Sequence, residues 1–395
     1  MSDAIQQGAV ENGATAGYIK RIGARLGSMG QLSMGTFVPV LLALVAIWVY
    51  FGVTEPAFFS PRNFYFLFMQ SAVVGTLAVG ITVVLLIGDI DLSAAAVAGV
   101  CASLLAVMST NMGVPAPIAC LIALAGGLFL GAIQGALTAY VGIPSFVVTL
   151  AGLLGFQGLM LKILGIHGAI NVRDPFIRGI TTISLPPMVG WGVALACITL
   201  FAWLVYRGHQ KRVQMGLELD PTMASISKVV LFALIAAGTV AALNAYRGVP
   251  LIVILLLIVT TILAWLTTST PFGRALFAVG GNQESARRVG ISVTKIRIAA
   301  FSIVGLIAAV GGIVGASRYA SVSFNAFAGG PLLLEAIGAA VIGGTSLFGG
   351  RGSVWNAILG ALVIGSLGNG LDLSGASAAD KLMFSGAILL LAVAI

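Results

Sequence analysis

The sequence is dominated by apolar runs of membrane-spanning length, about 17 residues or more. They fall near 35–53, 64–87, 92–109, 117–141, 144–165, 189–206, 229–246, 249–268, 295–317, 332–348 and 354–371, with a shorter run at 382–395. No water-soluble architecture accommodates such a series, because each run would have to be buried on every side. Composition agrees: 59% of the 395 residues are hydrophobic and 8% are charged, with mean hydropathy +1.10, against about 25% charged in soluble domains. The fold class expected is all-α, a polytopic bundle of transmembrane helices. Twelve runs are counted. Two pairs meet closely at 88–91 and 142–144, so broken or re-entrant helices there would reduce the crossings toward ten.

Basic residues orient the bundle, since Lys and Arg collect on cytoplasmic segments. With the N-terminus inside, thirteen of the 20 fall on inner segments: Lys20, Arg21, Arg25, Arg207, Lys211, Arg212, Lys228, Arg274, Arg287, Arg288, Lys295, Arg297 and Arg351. Six fall outside: Arg62, Arg173, Arg178, Arg247, Arg318 and Lys381. Lys162 lies near the outer end of a run, where it can snorkel. Both termini are thus expected in the cytoplasm, with an even number of crossings.

Residues 1–34 read as a cytoplasmic tail, not a signal peptide, and 35–395 as the membrane body. No segment is long enough for a separate soluble domain. The last run is short and the sequence stops inside it, which leaves the natural C-terminus open. The +8 net charge follows from cytoplasmic loops and calls for no nucleic-acid partner. Cys101, Cys120 and Cys197 all sit in apolar runs, and His167 and His209 are far apart. Neither a disulfide framework nor a metal site is expected.

Local chemistry concentrates in the inner segment 271–297. Gly280 and Gly281 are expected to break the preceding structure. Asn282 suits an N-cap. Glu284 then stands in a first helical turn and Arg287 and Arg288 in a last turn, the ends where their charges are favoured. Gly290 suits the stop. A helix of about two turns between two spans is unstable alone, so it packs on its own bundle or docks into a partner.

The run Phe277-Ala-Val-Gly-Gly-Asn-Gln-Glu-Ser-Ala-Arg-Arg-Val-Gly-Ile291 resembles the coupling-loop signature of sugar ABC-importer permeases, the ribose/xylose/galactose group of the branched-chain amino acid permease-like family. Ser285 stands where Ala is usual. Three more motifs agree: Gly88-Asp-Ile-Asp-Leu-Ser93, with Asp89 an extra acid; Pro144-Ser-Phe-Val-Val-Thr-Leu-Ala151; and Gly343-Gly-Thr-Ser-Leu-Phe-Gly-Gly-Arg-Gly-Ser353. Together they span roughly 60–395 in the family's order. Two extra spans near 189–246 look like the xylose branch, and Tyr246-Arg-Gly-Val-Pro250 rejoins the common pattern.

The resemblance implies a type II-like ABC-importer permease in the bacterial inner membrane. Its expected partners are ABC ATPase subunits docked at 271–294, a periplasmic or extracellular sugar-binding protein, a second permease copy and membrane lipid. It implies no cofactor on this chain, with ATP and Mg²⁺ on the ATPase. The sequence itself has no G-x-x-x-x-G-K-[ST] and no midspan pairing of acids, so it reads as a transporter subunit and not an enzyme. Coupling is assigned to Gly280, Gly281, Asn282, Glu284, Arg287, Arg288 and Gly290. The sugar, from the branch resembled, is D-xylose. The competing reading is a secondary sugar transporter driven by an ion gradient, which the scarcity of midspan acids disfavours.

Candidate gate or pathway residues are Asp89, Asp91, Gln157, Glu335 and Asn369. Asp89 and Asp91 read either as a gate or ion pair with a basic loop residue, or, for Asp91, as a cap of the next helix. Glu335 reads as an interfacial charge, a pathway residue or a receptor contact. Gln70, Gln134, Gln157, Asn244 and Asn369 can bond sugar hydroxyls or join helices, with Phe156 and Trp191 as possible stacking faces. Gly127, Gly131 and Gly135, and Gly311 with Gly315, read as close-packing faces. The glycines of 343–352 are too dense for a plain helix and imply an unwound inner segment beside the coupling loop.

Overall fold

A computed structural model describes residues 34–214, 222–328 and 330–394. Lys20, Arg21 and Arg25, with the rest of the expected tail, lie outside the described residues.

The bundle opens with α1 (Met34–Thr54) and α2 (Pro61–Leu86), followed by α3 (Ala94–Ala106), α4 (Ala116–Ala136) and α5 (Ser145–Leu164). Single π turns, Val107–Asn111 and Leu137–Val141, extend α3 and α4. Next come β1 (Ala169–Asn171), α6 (Pro175–Thr182), β2 (Ser184–Leu185), α7 (Pro187–Gln214), α8 (Thr222–Asn244), β3 (Val249–Pro250) and α9 (Leu251–Ser269). The chain ends with α10 (Pro271–Gly281), α11 (Gln283–Arg288), α12 (Val293–Tyr319), β4 (Ser321–Ser323), α13 (Phe324–Ala328), α14 (Pro331–Ile342), α15 (Val354–Leu373) and α16 (Ala378–Ala394). Ten helical stretches among the described residues are long and apolar enough to cross a membrane. The terminal helices α1 and α16 are not among them. At both tight junctions, 88–93 and 142–144 are short non-helical connections between separate helices.

Prolines set many of the starts. Pro61, Pro175, Pro271 and Pro331 occupy first helical turns, where the missing N–H costs nothing and φ is already helical. α2 is apolar on all sides, and from Ser71 to Leu86 every residue is buried. A helix of that kind belongs at the centre of a bundle. It is surrounded by α12, α15, α14 and α9.

The tightest helix pair is α4 against α12. A Cβ added at Gly127 would stand 2.3 Å from the Gly305 carbonyl oxygen, and one at Gly131 2.2 Å from that of Phe301. Gly305 answers from α12, with the Gly127 oxygen 2.1 Å from its own added Cβ. The Gly127/Gly131/Gly135 stripe is thus a packing face, and its partner is centred on Gly305. Gly311 and Gly315 lie against Leu77 and Phe327 side chains.

The outward faces of α4, α5, α7 and α8 remain apolar, with Phe129, Leu154, Leu195 and Leu234 each more than 60% exposed. Such a surface suits hydrocarbon and not water, so the chain is a multi-pass membrane protein. α7 and α8, which occupy the expected two-span extension, pack on each other through stacked Phe201 and Phe232 at 4.5 Å.

One expectation needs correction. The run 332–348 is helical only to Ile342. Gly344, Gly349 and Gly350 take positive φ, a conformation open mainly to glycine, so 343–353 is irregular as its glycine density implies. The break expected at Gly280 and Gly281 is present: they form the last turn of α10, and the chain turns extended at Asn282 (φ −161°).

Candidate coupling site

The four motifs, far apart in sequence, meet at one end of the bundle. The connection between α2 and α3 (residues 87–93) lies at their centre. Gly88 takes φ +79° and faces the Phe348 carbonyl, 3.2 Å from its added Cβ. The Gly350 N–H donates to the Leu86 carbonyl at 2.9 Å. Ile90 ties the connection to the start of α5: its N–H reaches Ser145 Oγ at 3.4 Å, and its carbonyl accepts from Thr149 Oγ1 at 3.1 Å.

Gly280 enters this junction from α10. A Cβ there would stand 1.8 Å from the Leu86 oxygen and 2.6 Å from the Gly350 nitrogen. Gly281, the next residue, has open space. The two glycines therefore differ in kind: only Gly280 is required by backbone contact.

α11 is built as its residues dictate. The Ser285 N–H donates to Asn282 Oδ1 at 2.8 Å, an N-cap. At the other end the Gly290 N–H bonds the Arg287 carbonyl and the Ile291 N–H the Ala286 carbonyl, both at 3.0 Å. With Gly290 at φ +85°, that is a complete Schellman stop. Glu284 lies 3.5 Å from Arg288 Nε and 4.0 Å from Arg287 Nη1, all three side chains at least 60% exposed. Such pairs contribute little energy in water. Ala286 is buried and anchors the helix inward, whereas Val289 is exposed. The result is a capped, charged knuckle held between α10 and α12.

Asp89, read from the sequence as a gate or as one half of an ion pair with a basic loop residue, has a basic partner. It is Arg297, on the first turns of α12: Nε lies 2.6 Å from Asp89 Oδ2 and Nη2 3.3 Å from Oδ1. Both side chains are largely buried. Asp91 acts as a local cap. Its Oδ1 accepts from the Ser93 N–H and Oγ, both at 2.7 Å. Burial pushes the Asp91 carboxyl above its ordinary value, with the Ser93 bonds acting against that shift. Ser93 Oγ in turn accepts from Gln134 Nε2 at 2.7 Å, which carries the network into α4.

Asn369 and Glu335 do not join this site. Asn369 is buried at the far end of α15, in a reciprocal amide pair with Asn63 of α2 (2.7 and 3.0 Å) and within 3.4 Å of Gln70 Oε1. It joins helices. Gln157 is half-buried on α5, and Glu335 is half-buried on α14. Three features escaped the sequence reading: Arg297 as the ion partner, Gln134 as a network member, and α10 as a helix. Thr270-Pro271 was the available signal for α10, since Thr270 Oγ1 accepts from the Gly273 N–H at 3.2 Å. Among the described residues no group of His, Cys, Asp and Glu has the arrangement of a metal site.

Residues 63–393 match the family model described as branched-chain amino acid transport system / permease component. The chain belongs to that permease family. The permease is 37% identical over 364 residues to the xylose transport system permease protein XylH of Escherichia coli (strain K12), covering 92% of each chain. It is 35% identical to XylH of Haemophilus influenzae over 90% of this chain and 94% of that protein. It is also 31% identical to the autoinducer 2 import system permease protein LsrC of Photorhabdus luminescens, over 84% and 82%. No solved structure matches the permease.

Proposed function

We propose that this chain is the permease subunit of an ATP-driven monosaccharide importer of the bacterial inner membrane, with D-xylose as the sugar. It would form the pathway as a homodimer with both termini in the cytoplasm, surrounded by lipid. A periplasmic or extracellular sugar-binding protein delivers the sugar. ATP and Mg²⁺ are held by separate ATPase subunits, and this chain binds no cofactor.

The observation that carries the reading is α11. A two-turn helix, capped at both ends and presented on the surface, is a shape made to be gripped. Its two flanks lead into the bundle by different routes. Gly280 touches the end of α2 and the 343–353 segment, and Arg297 holds the 87–93 connection through Asp89. A push on α11 from an ATPase therefore reaches the central helix from both sides. Xylose is supported by the XylH relatives and by the α7–α8 pair.

The test is a pull-down from solubilised native membrane, with labelled xylose uptake measured in parallel, for wild type and R287E/R288E. The expected result is an ATPase recovered with wild type alone, and uptake abolished in a variant that still inserts. Uptake that persists in the variant would refute coupling through α11. Uptake that follows an ion gradient and ignores ATP would favour a secondary transporter.

A further inference from the structure

The end of the bundle opposite α11 holds a cavity of about 190 Å³ lined by three arginines and no acid. Arg178 of α6, Arg247 of the α8–β3 turn and Arg318 near the end of α12 all line it, beside Tyr65 and Thr181. Arg318 is 21 residues beyond Arg297 on one helix, about 32 Å along its axis. None of the three arginines pairs with a carboxylate among the described residues. Arg318 Nε is buried and has no hydrogen-bond partner. A buried charged donor left in that state is costly.

The cavity walls are ordered independently of any ligand. Ser317 Oγ accepts from the Thr181 N–H at 3.2 Å and donates to the Arg178 carbonyl at 3.3 Å, which fixes α6 against α12. Tyr65 Oη lies 2.8 Å from Ser184 Oγ. Arg318 rests 5.9 Å from the Phe66 ring centre and Arg247 5.4 Å from that of Tyr246. Arg178 and Arg247 are exposed at the rim, and Arg318 is half-buried at the floor. The volume exceeds several waters at about 30 Å³ each, enough for a tetrahedral group.

We infer that this cavity is a binding site for a phosphate-class oxyanion, taken from solution or from a phospholipid headgroup, that clamps α6, the α8–β3 turn and α12 together. Guanidinium groups present planar donor forks that match phosphate oxygens. Three such groups exceed what one carboxylate neutralises, whereas a phosphate-class group offers several acceptor oxygens. A neutral sugar would leave the charge uncompensated. The site is separate from the coupling reading and does not depend on it.

The experiment measures the thermal unfolding midpoint of the full chain in neutral detergent. Millimolar inorganic phosphate is titrated against sodium chloride of equal ionic strength, with native mass spectrometry of the same samples. Wild type is expected to show a saturable rise of about 2–4 °C. R318Q, which removes the floor guanidinium, should show none, and R247Q at the exposed rim should need at least threefold more phosphate. Should R318Q fail to fold, R247Q with R178Q carries the comparison. A phospholipid that stays bound to wild type and blunts the phosphate response, yet is lost from the variants, assigns the headgroup as the source. Equal rises in wild type and variants would overturn the inference. So would the absence of both a phosphate response and a retained phospholipid.

Discussion

Arg297 grips Asp89 with two nitrogens, 2.6 and 3.3 Å from the two carboxylate oxygens, across a separation of 208 residues. Arg297 stands near the N-terminus of α12, the end of a helix that disfavours a cation. Asp89 offsets that and binds the connection after α2 to the helix that emerges from α11. Removing one partner from a pair so buried leaves a charge stranded, at a cost of about 3–5 kcal/mol. R297A and D89A should each lower the unfolding midpoint in detergent sharply. The double substitution D89A/R297A should be less damaging than the two single effects summed. Additive losses in that cycle would show that the two groups act independently.

Gly280 and Gly281 offer a sharper contrast. An added methyl at Gly280 would collide with the Leu86 carbonyl, and backbone cannot rotate away. The same methyl at Gly281 meets nothing. G280A is expected to cut sugar uptake at least tenfold and to destabilise by about 1–3 kcal/mol through overpacking. G281A should remain within about twofold of wild type. Parity between the two variants in uptake and unfolding would remove Gly280 from the junction.

The permease class was legible because it is written in local patterns. Runs of apolar residues give spans, and Asn282, Glu284, Arg287, Arg288 and Gly290 spell a capped helix in order. The junction itself was not legible. Gly280 and Gly281 look identical in a sequence, and only their distance from Leu86 separates them. Asp89 announced itself as an acid at a boundary, but its partner was fixed by how α12 passes the 87–93 connection, which no local spacing encodes. Asn369 illustrates the converse: an amide in a span suits a sugar or a second amide equally, and its burial against Asn63 decides between them. The break expected at Gly280 and Gly281 closes a helix whose start, at Thr270 and Pro271, was not read from the sequence.

Asp91 provides a pH test. Burial raises its carboxyl above the ordinary value in the folded state, so the folded chain holds the proton more tightly than the unfolded one. Its contribution to stability is then fully present below the ordinary carboxyl range. It is lost as pH rises through that range toward the folded value. D91N keeps an oxygen that can accept from Ser93 and has no proton to lose. Unfolding midpoints measured from pH 4 to 8 should fall with rising pH more in wild type than in D91N. Parallel curves would mean that Asp91 is not desolvated.

The cap at Asn282 separates the shape of α11 from its charges. N282A removes the acceptor for the Ser285 N–H, at a cost of about 1 kcal/mol. N282D retains an acceptor and adds a negative charge at the end of the helix that favours it. If a rigid knuckle is what an ATPase grips, N282A should reduce uptake several-fold without changing membrane insertion, and N282D should restore most of it. R287E/R288E leaves the cap intact and reverses two exposed charges, so its defect should not respond to a better cap. Combining N282D with R287E/R288E is therefore expected to leave uptake abolished. Rescue by that combination would show that the arginines matter for helix stability and not for contact with a partner.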